Sequence, residues 1–261
     1  MKELYKRTPF KEPLIPIPSD ENEHLYNFRN NKNYIVRDNH IILGEDGKPD
    51  IHDIDIADTL FNELERDYGI SVVPYDTVIG YNPETEGISA YMIANKVVGS
   101  ELPQAVPEEE EAKRFFSGLL NYHIDKYEQG GYYIADLNED DFMYGTTNKN
   151  STKKIYLVDL DQFYEYIDDL SLDKRLEYFT ANLESLNNIL NILEENSKSN
   201  FTELRKKFKE FLVRIKHTLH PDDRATINTI LISIENKITE EMTSDLSENR
   251  FEKSQNEREV L

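Results

Sequence analysis

The sequence predicts an α+β protein, with a small antiparallel sheet lobe first and a mostly helical lobe after it. Three observations carry this. Short β-prone runs separated by turn clusters fill residues 1–100. From Leu172 onward the apolar residues fall at helical spacing instead. Between the two patterns lies "LPQAVPEEEE", whose prolines and acidic run mark a linker at residues 101–107 that ends by opening a helix. The expected organisation is a β-rich lobe over 1–100, a helical lobe over 101–242 and a disordered polar tail over 243–261.

The elements follow in order. Residues 1–21 are proline-rich and read as extended chain. "HLYNF" and "NYIVRDN" flank the turn-forming "RNNK" and read as a hairpin. "HIILGEDGKPD" adds a strand and a turn at Asp46-Gly47. "DIADTLFNELERDYG" sets Ile56, Leu60, Phe61 and Leu64 on one helical face and stops at Gly69. "ISVVPYDTVIGYN" and "GISAYMIANKVVG" read as strands around "NPETEG". The helix opening at Pro107 turns Phe115, Phe116, Leu119, Leu120 and His123 to one side, so His123 reads as a core histidine. Three helices close the chain, over "LDKRLEYFTANLESLNNILNILEEN", "NFTELRKKFKEFLVRIKHTL" and "DRATINTILISIENKITEEM". The basic run Arg205 to Lys209 reads as the solvated face of the second of these. His217 and His220 read as groups at its end.

Composition narrows the function. Among 261 residues, 51 acidic and 30 basic side chains leave a net charge of −21, which repels nucleic acid and anionic lipid. Neither is an expected partner. The chain has no cysteine, so disulfides, thiolate zinc sites and cysteine nucleophiles are excluded, and a cytoplasmic location is favoured. The N-terminus lacks the apolar core of a signal peptide, and no run is long enough to span a membrane. The six histidines show no zinc-like spacing.

The chemistry concentrates in "GGYYIADLNEDDFMYGTTNKNSTKKIYLVDLDQFYEYI", Gly130 to Ile167. Two short apolar runs each end in a carboxylate. Tyr133-Ile134-Ala135 precedes Asp136, and Ile155-Tyr156-Leu157-Val158 precedes Asp159. A hairpin returning through "FMYG" and "KKIYL" is expected to bring the two aspartates side by side. Gathered carboxylates repel unless a cation lies between them. Mg²⁺ takes one or two carboxylates plus phosphate oxygens, and a hydroxyl nucleophile needs a carboxylate base. Phosphoryl transfer uses both.

The order of these features resembles the protein-kinase-like superfamily, nearest the branch of aminoglycoside and choline phosphotransferases. "YIADLNEDDFM" is similar to the catalytic loop, which implies Asp136 as the catalytic residue and Asp141 at the metal-binding position usually held by Asn. "IYLVDLD" resembles the metal-binding strand end, which implies Asp159 as the principal Mg²⁺ ligand with Asp161 as a second acid. "HLYNFRNNKNYIVR" resembles the paired strands that end in the phosphate-holding base, Arg37. "ISAYMIANKVVGSEL" resembles the hinge strand, which implies adenine on the backbone of Asn95 and Val97 and the family's glycine at Gly99. The helix over 55–68 would supply the ion-pair acid, Glu63, with Asp58 as its rival. The resemblance spans residues 24–167. It implies a two-lobed fold with Mg-ATP in the interlobe cleft and phosphate transfer to an unknown hydroxyl acceptor, either a small molecule or a protein.

Three features depart from that pattern. The phosphate-loop position, "IPSDENEHLYNF", has no glycine and carries Asp20, Glu21 and Glu23. Glycines there let backbone N–H groups approach phosphate closely. Ile134-Ala135 replaces the histidine before the catalytic aspartate, and Asp141 replaces the asparagine. A catalytically inactive kinase-like protein that binds a protein partner is therefore the alternative. An acidic α+β interaction protein without kinase relationship is a third reading.

Overall fold

The computed structural model describes residue 10 and residues 14–17, 25–41, 52–82, 87–135, 137–159 and 164–256. The chain separates into two compact units, 1–101 with 142–160, and 102–141 with 161–261. The segment 142–160 therefore packs with the first unit although the linker precedes it. An antiparallel sheet dominates the N-terminal part and helices the C-terminal part, which is the α+β arrangement that the kinase-like resemblance implies.

In the first unit, β1 (Leu14–Pro16), β2 (Leu25–Phe28), β3 (Tyr34–Ile41), β5 (Tyr75–Asn82) and β6 (Gly87–Asn95) form one sheet in the order β1-β2-β3-β6-β5. Every pairing in it is antiparallel. β3 and β6 lie at its centre and are paired from Tyr34↔Asn95 to Ile41↔Ile88. Ala90, Tyr91 and Met92 of β6 are all buried, so this strand is an almost continuous apolar run. Helix α1 (His52–Tyr68) buries Ala57, Leu60, Phe61 and Leu64, a stripe at helical spacing. It stops at Gly69, whose φ of +66° is left-handed.

A second sheet of the same unit runs β4 (Ser71–Val72), β10 (Lys154–Leu157), β9 (Phe142–Thr146), β7 (Val98–Glu101). β7 and β9 cross with Gly99 directly opposite Gly145. A Cβ on Gly99 would overlap the Tyr144 carbonyl, and one on Gly145 the Val98 carbonyl. Gly99→Ala is expected to cost about 3 kcal/mol, the upper end of overpacking. A urea midpoint equal to that of the wild type would refute this.

The expected hairpin of "FMYG" and "KKIYL" forms as β9 and β10, antiparallel from Lys154↔Gly145 to Leu157↔Phe142. The apolar run before position 136 enters another sheet. β10 pairs with β9, whereas β8 (Tyr132–Ile134) pairs with β11 (Tyr164–Tyr166) in the second unit. The sequence of each run satisfies a strand equally well in either pairing, because alternation specifies a face and not a partner.

The second unit is built from α2 (Glu109–Gln129), α3 (Leu172–Ser197), α4 (Thr202–Lys216) and α5 (Pro221–Asn256). Glu109, Glu110 and Glu111 occupy the first turn of α2, where the helix dipole favours them, and Gly130 closes it at φ +79°. Ser171 caps α3 by accepting the Lys174 N–H. The core joins Phe115, Phe116 and Tyr122 of α2 to Phe179 and Leu183 of α3 and Phe208 and Phe211 of α4, all fully buried. Each such side chain contributes about 1.5–3 kcal/mol by leaving water.

Helix α5 runs through Asn256, and residues 257–261 lie outside the described residues. One expectation changes. Arg205, expected on a solvated face, is completely buried and paired with Glu194. The neighbours Lys206 and Lys207 are exposed, as expected, and Lys209 is half-buried. Among the described residues, no helix is long and apolar enough to cross a membrane.

Candidate functional site

In the first unit the structure joins two of the sequence-derived candidates. Arg37 sits mid-strand in β3, opposite Leu25 on one side and Met92 on the other. Strand alternation sends its neighbours Val36 and Asp38 to the opposite face, where both are buried. Asp159 lies two residues beyond β10, whose last carbonyl, Leu157 O, accepts the Val73 N–H at 2.9 Å. The Arg37 guanidinium donates to Asp159 Oδ1 at 3.0 Å. The side chains are 19% and 45% exposed, so solvent screens the pair and it is worth at most about 1 kcal/mol. Such a pair holds its place in the fold and can exchange for stronger partners.

The hinge candidates lie at the end of β6 and just beyond it. Asn95 ends β6, buried, with its backbone N–H and its side-chain Nδ2 both donated to the Pro74 carbonyl at 2.8 and 2.6 Å. An adenine bond to the Asn95 backbone would therefore fall on its carbonyl. Val97, also buried, lies in the two-residue step between β6 and β7. Glu63 is half-buried on α1. Its rival Asp58 receives the Tyr75 hydroxyl in a short hydrogen bond. Burial first, and that carboxylate second, push the Tyr75 phenol far above its ordinary range, so it remains a donor.

Metal binding is tested by the donors present. Among the described residues, no three carboxylate or histidine side chains gather into a cluster. A resident all-protein cage is thus absent there, whereas a magnesium ion bound chiefly through nucleotide phosphates needs only one or two carboxylates. Asp159 fits that requirement. Asp141 is buried at the end of a short 3₁₀ turn, where Oδ2 accepts the Asn138 N–H at 2.8 Å. Asp136 and Asp161 lie outside the described residues.

The chain on either side of position 136 is held by three buried side chains of the second unit. The Tyr122 hydroxyl accepts the Ile134 N–H at 2.9 Å. Asn182 of α3 donates through Nδ2 to the Ile134 carbonyl at 2.5 Å and accepts the Leu137 N–H through Oδ1 at 3.3 Å. His123 Nδ1 bonds the Leu119 carbonyl at 2.8 Å, and its Nε2 lies 3.3 Å from Asn182 Nδ2. The carbonyl contact requires the proton on Nδ1, so Nε2 is the acceptor.

Burial lowers the His123 pKa to about 4, against a smaller opposing effect of the Leu119 carbonyl. The unfolded chain binds this proton near pH 6.5, so its stabilisation is complete above pH 6.5 and is lost as the pH falls towards 4. The expected loss is about 3 kcal/mol. Urea midpoints between pH 4 and 7 check it: the slope over that window must shrink in His123→Gln, and an unchanged slope would refute the assignment.

Sequence reasoning missed Asn182 and Tyr122. The signal was present for the first. Phe179, Asn182, Leu183 and Leu186 recur at helical core spacing, and one polar amide on that stripe requires a buried partner. Tyr122 adjoins the apolar face that the sequence did identify.

No family model matches the chain, and no curated protein matches it. Among solved structures it is similar to the kinase PK-1 of Cydia pomonella granulovirus, at 10% identity and a TM-score of 0.41, over 82% of this chain and 87% of that chain.

Proposed function

We propose that the chain is a kinase-like phosphotransferase of the aminoglycoside/choline phosphotransferase type, using Mg-ATP. The observation that supports this best is the Arg37–Asp159 pair at 3.0 Å. A guanidinium forks onto phosphate oxygens, and a strand-end carboxylate takes magnesium. Mg-ATP presents both complements at once, so phosphates would replace Asp159 at Arg37 while the metal takes up the released carboxylate. Adenine would sit on the Asn95 carbonyl and the Val97 backbone, with Glu63 behind Arg37. Asp141 would be a further metal ligand. When bound, magnesium neutralises charge on the transferred phosphate. Asp136 would hold the acceptor hydroxyl and take its proton.

Calorimetry tests the binding step. Wild type at one hundred times its dissociation constant should gain about 2.7 kcal/mol of stability from Mg-ATP. Asp159→Asn should weaken Mg-ATP at least tenfold, a loss of about 1.4 kcal/mol. Tight binding indifferent to magnesium and to Asp159 would refute the site.

The missing glycines and the acids Asp20, Glu21 and Glu23 favour one second reading, a kinase-like protein that binds a protein partner without catalysis. These residues lie outside the described residues. Binding of Mg-ATP with no turnover against hydroxyl compounds and proteins would select that reading.

A further inference from the structure

We infer that the outer face of α4 is a docking surface for a short acidic segment of a partner protein, one that carries an apolar residue among its carboxylates. The inference stands on the second unit alone and is independent of the nucleotide site. Helix α4 holds six basic side chains against two acidic ones, Glu203 and Glu210. Among the described helices of this unit it alone is net basic, since α2, α3 and α5 each carry more acids than bases. Arg205 is buried, which leaves the other five basic groups to the surface. Lys206, Lys207, Lys209 and Arg214 line a groove of about 840 Å³ together with Val213 and with Ile238 of α5. Val213 is 46% exposed, an apolar side chain set among cations. On a chain of net charge −21, this face attracts carboxylates where the rest of the molecule repels them.

The cations already hold carboxylates of the chain itself. Lys206 pairs with Glu203 at 2.7 Å, Lys209 with Glu235 at 2.7 Å and Arg214 with Glu128 at 2.5 Å. Both side chains of every pair are more than a third exposed, so solvent screens them and each pair can exchange for an incoming carboxylate. Lys207 donates to Asn121, a neutral amide. The size of the face limits the partner. Lys206 and Arg214 stand eight residues apart on one helix, about 12 Å. About four residues of extended chain cover that distance. A nucleic acid or an anionic bilayer runs far past it and meets the acidic helices α2 and α5 that pack against α4. Val213 and Ile238 add a contact for an aliphatic side chain, which a short peptide can supply between its acids.

Fluorescence anisotropy tests this on the full chain. The probe is a labelled, capped peptide of glutamates around a central leucine. Its glutamine counterpart and a version with glycine in place of leucine are the controls. The variants are Lys206→Gln, Lys207→Gln and Arg214→Gln combined, Val213→Ser alone, and Lys174→Gln, which removes an exposed cation of α3. The glutamate–leucine peptide is expected to bind the wild type and to bind the triple variant roughly tenfold more weakly, the sum of three exposed charge contacts. Val213→Ser is expected to weaken it about threefold by removing apolar contact. Lys174→Gln should leave it unchanged. No binding of this peptide, or equal binding of its glutamine counterpart, overturns the proposal. A loss in Lys174→Gln as large as in the triple variant overturns the placing on α4. Equal affinity for the glycine version removes the apolar contact. Tighter binding to oligothymidine, or to vesicles of phosphatidylserine and phosphatidylcholine, assigns the face to a polyanion and overturns the peptide reading. Each of these failures leaves the phosphotransferase reading intact, because the nucleotide site shares no residue with this face.

Discussion

Asp136→Asn should bind Mg-ATP as tightly as the wild type and transfer phosphate roughly 10²- to 10⁴-fold more slowly, the range a general base contributes. The two halves of this expectation rest on different parts of the chain. Nucleotide affinity is assigned chiefly to Arg37, Asn95, Val97 and Asp159 of the first unit, with Asp141 of the second as a further metal ligand. Asp136 belongs to the second, between Ile134 and Leu137, whose backbone groups are held by Tyr122 and Asn182. Asparagine keeps the size and polarity of the side chain and removes its basicity, so fold and binding are preserved while proton acceptance is lost. Phosphate transfer by wild type and variant is compared against the same acceptor panel, alongside calorimetry with Mg-ATP. Equal, non-zero rates would take Asp136 out of the mechanism. Lost nucleotide affinity would reassign it to binding.

Local pattern was a good guide where one face had to be buried. The stripe Leu60, Phe61 and Leu64, the stop at Gly69 and the face Phe115, Phe116, Leu119 and His123 each stand as the spacing requires. Pairing was less legible. "IYLV" and "YYIA" look alike as strands, yet they enter different sheets in different units, because β10 finds β9 and β4 while β8 finds β11. Non-local pairing is decided by partners far along the chain, and alternation says nothing about them.

The same limit applies to side chains at the candidate site. The resemblance marked Arg37 and Asp159, and the structure brings them to 3.0 Å across 122 positions of sequence. It marked Gly99 as a family glycine. The crossing against Gly145 supplies a packing reason for that residue which holds whether or not a nucleotide binds. Asn182 and Arg205 went unrecognised for opposite reasons. One is a polar residue on an apolar stripe, and the other is a charge within a run that otherwise faces solvent. In both cases burial is set by a helix elsewhere in the chain.

Glu194→Gln is expected to destabilise the protein by about 3–5 kcal/mol, the cost of leaving a buried charge uncompensated. Arg205 is 0% exposed, in the first turns of α4. Its Nε donates to Glu194 Oε1 at 3.3 Å, its Nη2 makes a short ion pair with Glu194 Oε2, and Nη2 also donates to Asn191 Oδ1 at 3.0 Å. Both partners lie on α3, so one guanidinium ties the start of α4 to the last turns of α3. Glutamine replaces one accepting oxygen by an NH₂ that faces the guanidinium, and it removes the countercharge. Restoring neutrality is the decisive control. Arg205→Met combined with Glu194→Met should recover most of the loss, because an apolar pair of similar volume carries no desolvation penalty. Urea midpoints of Arg205→Met, Glu194→Met and the double variant form a cycle with the wild type. Additive losses would show that the two residues act independently and that the ion pair does not join α3 to α4. A double variant more stable than either single one would show that the charges are coupled. With α3 thus secured at its C-terminal end, the same helix presents Asn182 to the segment around position 136, so Glu194→Gln should also speed amide exchange at Leu137.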